Sequence, residues 1–165
     1  MIRLALGAVQ ETLGATRYGA SVAFEGVATD SRQVAPGALF VAIPGEHVDG
    51  HDFIADAAAN GAAAALVERP VDAAIPTLVV PDTVVALGQL ARLWRQYCNP
   101  RVIAVTGSNG KTTVKEMLGA ICAEAAPCLV TDGNLNNTIG VPLTLCRLAP
   151  EHTLAVIEMG ANHHG

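Results

Sequence analysis

In Arg101-Val-Ile-Ala-Val-Thr-Gly-Ser-Asn-Gly-Lys-Thr-Thr113 an apolar run, a glycine loop and a helix start follow one another. Residues 102–105 are apolar, Thr106-Gly107 breaks the run, and Gly110-Lys111-Thr112 leads into a helical pattern over residues 114–125. A strand, a glycine loop and a helix in that order form a phosphate cradle. Loop N–H groups and the helix N-terminus converge on anionic oxygens, a lysine reaches the outer phosphates, and a hydroxyl can hold Mg²⁺. Gly107, Ser108, Asn109, Gly110, Lys111, Thr112 and Thr113 are therefore the candidate phosphate-binding residues, with Thr112 the metal ligand. The general motif has a glycine where this chain has Val105, but the narrower pattern Thr-Gly-x-x-Gly-Lys-Thr is complete. The sequence contains no guanine-reading Asn-Lys-x-Asp, which disfavours a GTPase.

Composition narrows the classes. A chain of 165 residues suits one or two domains with a real core. A net charge of −5, with no basic stripe, argues against a nucleic-acid partner. Cys98, Cys122, Cys128 and Cys146 lack CxxC spacing and read as reduced, buried thiols. No apolar run reaches membrane-spanning length and the N-terminus lacks a signal-peptide layout, so a cytoplasmic protein with no membrane partner is expected.

On the N-terminal side of the cradle the pattern is a separate α/β unit, divided from the rest near Pro81-Asp82. Residues 38–43 and 62–67 read as buried strands, as does 77–80, with turns at Pro36-Gly37, Pro44-Gly45, Pro70 and Pro76. Asp52 is the expected cap of a helix through Ala59, ended by Asn60-Gly61. Asp82 or Thr83 starts a further helix that ends near Asn99-Pro100. On the C-terminal side, residues 128–131 read as a strand, Pro142 to Leu148 as a helix and residues 154–157 as a buried strand ending beside Glu158. Ligands of open α/β sheets bind outside the carboxyl ends of strands, so the segment from Gly160 to Gly165, just past this strand end, is where active-site loops belong, and Glu158 faces the same crevice. Two or three parallel strands leave a sheet edge open, and the chain looks cut on this reading.

Thr106-Gly-Ser-Asn-Gly-Lys-Thr-Thr-Val-Lys-Glu-Met117, Gly133-Asn-Leu-Asn-Asn-Thr-Ile-Gly-Val-Pro142 and Val156-Ile-Glu-Met-Gly-Ala-Asn-His163 together resemble the Mur ligases. Asp30-Ser-Arg32, Pro36-Gly-Ala-Leu-Phe-Val-Ala42 and Asp49-Gly-His-Asp-Phe53 resemble the family's UDP-sugar-binding domain, so the likeness spans nearly the whole chain. The expected fold class is α/β. A small N-terminal UDP-N-acetylmuramoyl-binding domain (residues 1–81) precedes the first part of a P-loop, parallel-sheet ATP-binding domain (residues 82–165).

The resemblance implies an ATP- and Mg²⁺-dependent amide ligase that works through an acyl phosphate. Glu158-Met-Gly-Ala-Asn162 is similar to the branch that joins D-alanyl-D-alanine to UDP-N-acetylmuramoyl-tripeptide, the two expected partners of a monomeric enzyme. Lys111 and Glu158 become the candidate catalytic residues, with Glu158 a second metal ligand; read alone, Glu158 is equally an exposed strand-end acid. Ser31, Arg32, His47, Asn134, Asn136, Asn137 and Asn162 become candidate substrate-binding residues, although by chemistry alone the asparagines suit a helix-capping loop and Ser31 to His47 solvated loops. His163 and His164 are adjacent and point apart on an extended chain, which argues against a metal pair. His51 and His152 read as surface or capping residues, and Lys115 and Glu116 as a solvated helix face. The family's second metal-holding lysine, adenine grip and dipeptide-binding domain are expected past Gly165, so this chain alone is expected to lack ligase activity. The alternatives are another amide ligase of the same group and a non-catalytic nucleotide- or UDP-sugar-binding module.

Overall fold

Runs of small and branched apolar residues build the first unit. The structure, a computed structural model, describes residues 1–160 and divides into two compact units, Met1–Leu90 and Ala91–Gly165. In chain order the first contains β1 (Arg3–Ala5), α1 (Leu6–Leu13), β2 (Thr16–Tyr18), β3 (Ala23–Glu25), β4 (Val27–Ala28), β5 (Leu39–Val41), α2 (Ile54–Ala59), β6 (Ala64–Val67) and β7 (Thr77–Val79). Strands β4, β5, β6 and β7 run parallel, and β2 closes the edge antiparallel to β7, giving the order β2-β7-β6-β5-β4. Every residue of β5 and β6 is buried, as expected of strands covered on both faces. Phe40, Ala42, Ala65 and Val67 pack with Ile54 and Ala57 of α2 in one apolar cluster.

Two local readings are corrected in this unit. Residues 1–25 form β1 paired antiparallel with β3, with α1 and β2 between them. Asp49, not Asp52, makes the cap near residue 50: its carboxylate accepts the His51 N–H and opens a 3₁₀ turn, Gly50–Phe53, ahead of α2. His51 is not a surface residue. It is 7% exposed, with Nδ1 2.6 Å from Asp49 Oδ1 and Nε2 accepting the Glu68 N–H at 2.9 Å.

The unit boundary falls within α3 (Thr83–Cys98). Asp82 caps α3 by accepting the Val85 N–H, and Glu68 accepts from both the N–H and the hydroxyl of the buried Thr83. Toward its other end Trp94 stacks on Tyr97 and donates Nε1–H to Leu148 O at 2.9 Å. The second unit continues with β8 (Arg101–Val105), α4 (Lys111–Ala125), β9 (Cys128–Val130), α5 (Gly140–Cys146) and β10 (Leu154–Glu158). Its parallel sheet has the order β8-β10-β9, so the last strand lies between the other two and Glu158 pairs in register with Val105. Gly119 lets α4 lie close to β9, since a Cβ there would come within 2.8 Å of Val130 Cγ2.

Of the four cysteines, Cys122 and Cys146 are buried, whereas Cys98 and Cys128 are only half-buried. Burial pushes the Cys146 thiol up to about 12, so it stays protonated and inert. His152 closes the turn that follows α5: its Nδ1 accepts the Ala149 N–H and its own N–H donates to Ala149 O.

Candidate functional site

The cradle begins where β8 ends. Gly110 takes up the left-handed conformation (φ 75°) that turns the loop into α4, and among the described residues no side chain caps that helix. Ser108, Asn109, Gly110, Lys111, Thr112 and Thr113 line a cleft of about 350 Å³ together with Asn134, Asn136 and Glu158. Gly107 lies just behind this lining, and its carbonyl accepts from Lys111 Nζ at 2.8 Å. The Lys111 ammonium is thus held over the loop that would carry phosphate oxygens.

Glu158 closes the far side. It is 1% exposed, which disposes of the exposed-acid alternative. Its Oε2 accepts from Thr112 Oγ1 at 3.2 Å, its Oε1 from Asn136 Nδ2 at 2.8 Å, and its N–H donates to Thr131 Oγ1 at 3.0 Å. Among the described residues no cationic side chain is ion-paired with this carboxylate. A buried carboxylate satisfied only by neutral donors retains uncompensated charge. A hard divalent cation would compensate it, and Thr112 Oγ1 and Glu158 Oε2, 3.2 Å apart, are the oxygen atoms that would hold one.

The asparagine loop splits between two jobs. Asn134 and Asn136 line the cleft. Asn137 does not; its Oδ1 accepts the N–H groups of Ile139 and Gly140 and starts α5 two residues before the expected Pro142. Lys115, expected on a solvated helix face, is instead wholly buried, while its neighbour Glu116 is exposed. The signal was available: Lys115 is in phase with Gly119 and Cys122 on the inward stripe of α4. Asn162, His163 and His164 lie outside the described residues.

In the first unit Thr29, Asp30, Ser31, Arg32, Phe40 and Phe53 are among the residues around a separate cleft of about 600 Å³. Ser31 is buried, and the Arg32 guanidinium forms a bidentate pair with Asp30, at 2.9 and 2.7 Å. His47 is exposed and is not among the lining residues, although its neighbour Val48 is. The Arg32 side-chain and backbone bonds hold the Asp30 carboxyl down at about 2. The His51 backbone N–H and then the Arg69 guanidinium hold Asp49 well below the usual carboxylate range.

Both folded-state values lie below the unfolded value of about 3.9, so each carboxylate stabilises the fold above that pH and loses its contribution as pH falls through the folded value. The urea midpoint of the chain is expected to drop below about pH 4. Asp49→Asn should flatten that drop, and an unchanged slope would show that Asp49 contributes nothing to it.

The class defined by these features is a P-loop α/β nucleotide-binding unit preceded by a distinct α/β unit. Two family models match it, the Mur ligase family catalytic domain over residues 23–95 and the Mur ligase middle domain over residues 105–165. The chain belongs to the Mur ligase family. Along its full length it is 51% identical to the UDP-N-acetylmuramoyl-tripeptide--D-alanyl-D-alanine ligase of Escherichia coli (strain K12), spanning 36% of that protein. It superposes on MurF from Acinetobacter baumannii with a TM-score of 0.93 at 45% identity, covering 100% of this chain and 37% of that one. The MurF ligase from Thermotoga maritima in complex with ADP matches at a TM-score of 0.77 and 35% identity, over 86% of this chain and 33% of that one.

Proposed function

We propose that this chain supplies the ATP-binding and UDP-sugar-binding parts of a monomeric cytoplasmic ligase that joins D-alanyl-D-alanine to UDP-N-acetylmuramoyl-tripeptide. The observation that carries the reading is Glu158, a buried carboxylate tied to Thr112 of the phosphate cradle and to Asn136 of the opposite loop. The relative that shares 51% of its residues bears the name of that reaction, which favours this ligase over another of its group.

The tripeptide carboxylate attacks the γ-phosphorus of ATP; the bond to the β-phosphate oxygen breaks and ADP leaves. The amine of the dipeptide then attacks the acyl phosphate, expelling inorganic phosphate and losing a proton. Phosphoryl transfer needs charge stabilisation and positioning above all. Lys111 neutralises β- and γ-oxygens, while the N–H groups of Ser108 to Thr113 cradle them. Thr112 and Glu158 would hold Mg²⁺, which would supply screening of the phosphate charge, and Asn136 fixes the Glu158 carboxylate. Asn134 faces the same cleft, where the substrate carboxylate must arrive. In the unit Met1–Leu90, the cleft beside Ser31 and Arg32 takes the uridine diphosphate group, with Asp30 orienting the guanidinium.

Calorimetric titration with Mg²⁺–ADP and, separately, with UDP-N-acetylmuramoyl-tripeptide tests this. Two independent isotherms are expected, each with a dissociation constant in the roughly micromolar-to-millimolar range common for enzyme substrates. A flat trace with Mg²⁺–ADP would overturn the nucleotide assignment. Heat with the nucleotide but none with the sugar peptide would remove the assignment of the first unit.

A further inference from the structure

Lys115 is among the largest fully buried side chains, and the reaction outlined above makes no use of it. It stands on α4, three residues past Thr112 on the side facing the sheet. Its Nζ lies 2.9 Å from Thr131 O, 3.3 Å from Gly133 O and 2.7 Å from Glu116 Oε1, so each of the three ammonium protons has an acceptor. Burying an ammonium is costly even when it is satisfied, and an apolar side chain of similar length would fill the space at less cost. It is the charged head that needs a reason.

The two carbonyls it grips belong to the turn leaving β9, at the root of the asparagine loop. From that root two connections run to Glu158. The Thr131 hydroxyl accepts the Glu158 N–H, and Asn136 Nδ2 donates to Glu158 Oε1. Asn136 is itself anchored, because its carbonyl accepts the Gly160 N–H at 2.7 Å. Lys115 thus links the helix that presents Thr112 to the loop that presents Asn136.

We propose that Lys115 is a positioning residue for the metal–phosphate site: its buried ammonium fixes the β9 exit turn, and so holds Asn136 and Glu158 at the distance from Thr112 that a divalent cation requires. The inference rests on the assignment of Thr112 and Glu158 as metal ligands.

The test compares the chain with Lys115→Met, which keeps the stem and removes the head, and with Thr131→Val, which keeps the turn's volume and removes the hydroxyl under Glu158. Mn²⁺ replaces Mg²⁺, and its uptake with ADP is read from the electron paramagnetic resonance signal of free Mn²⁺. Both variants should bind Mn²⁺–ADP about tenfold or more weakly, the range found when groups that orient metal ligands are removed. Lys115→Met should bind metal-free ADP as the parent chain does. Mere loss of a positive charge predicts the reverse, because ADP without metal is the more anionic ligand.

Hydrogen exchange without metal is the second readout. In Lys115→Met the amides of Asn136 and Gly160 should exchange at least tenfold faster, with those of Leu118 and Ile121 in α4 unchanged. Equal acceleration along α4 would reduce Lys115 to a helix-packing residue and overturn the proposal. If Lys115→Met does not fold, Thr131→Val alone decides, and parent-like Mn²⁺–ADP affinity in it overturns the proposal. Failure of the parent chain to bind Mn²⁺–ADP would overturn the metal site itself; binding by the parent matched by both variants would overturn only the role of Lys115.

Discussion

Glu158→Gln is expected to abolish the Mg²⁺-dependent part of ADP binding without unfolding the chain. The amide keeps the shape of the carboxylate and can still accept from Thr112 or Asn136, but it carries no charge to hold a cation. Removing a group that merely orients a ligand costs about ten- to a hundredfold in metal affinity, so loss of the ligand itself should cost about a hundredfold or more. Stability should move the other way or not at all. The native carboxylate is 1% exposed with no cationic partner among the described residues, so removing its charge relieves a desolvation cost. Titration of Mg²⁺–ADP alongside thermal unfolding separates the two effects. Unchanged Mg²⁺ dependence would remove Glu158 from the metal site, whereas a lowered melting temperature would mean that the charge is compensated within the fold.

Trp94→Ala carries the largest expected stability loss, about 3–5 kcal/mol for removing a buried aromatic. Trp94 is 3% exposed, stacks on Tyr97 with ring centroids 5.0 Å apart, and donates to Leu148 O just past α5. Its removal takes away apolar area, the stack and the partner of a buried carbonyl together. Chemical unfolding followed by circular dichroism gives the difference directly. Trp94→Phe, which keeps most of the ring but not the N–H, should lose less. Equal losses in the two variants would place the whole effect in the hydrogen bond, and a loss below about 1 kcal/mol for Trp94→Ala would contradict this packing account.

Much of the candidate phosphate site is legible because its information is local. Gly110 must turn the chain, Lys111 and Thr112 must follow at the helix start, and β8 and α4 each declare themselves by period. The same holds for β5, β6 and β7, whose apolar runs give strands to within a residue or two. Spacing alone is silent about Asn136 and Asn137, neighbours of one residue type with different tasks. One reaches Glu158, and the other only caps α5.

Local pattern therefore set the glycine loop and the helix that follows it, since these depend on residues a few positions apart, and the quoted motifs carried the family resemblance. The tertiary structure settled what depends on distant segments meeting. It placed β10 between β8 and β9, which brings Glu158 to Thr112 across 46 positions of chain. It also buried His51 against Glu68 and Lys115 against Thr131, where side chains that look solvated in sequence find their acceptors. The physical reason is burial: the environment of a polar group is fixed by strand order and helix phase, and only the folded sheet determines which carbonyls and carboxylates lie within its reach.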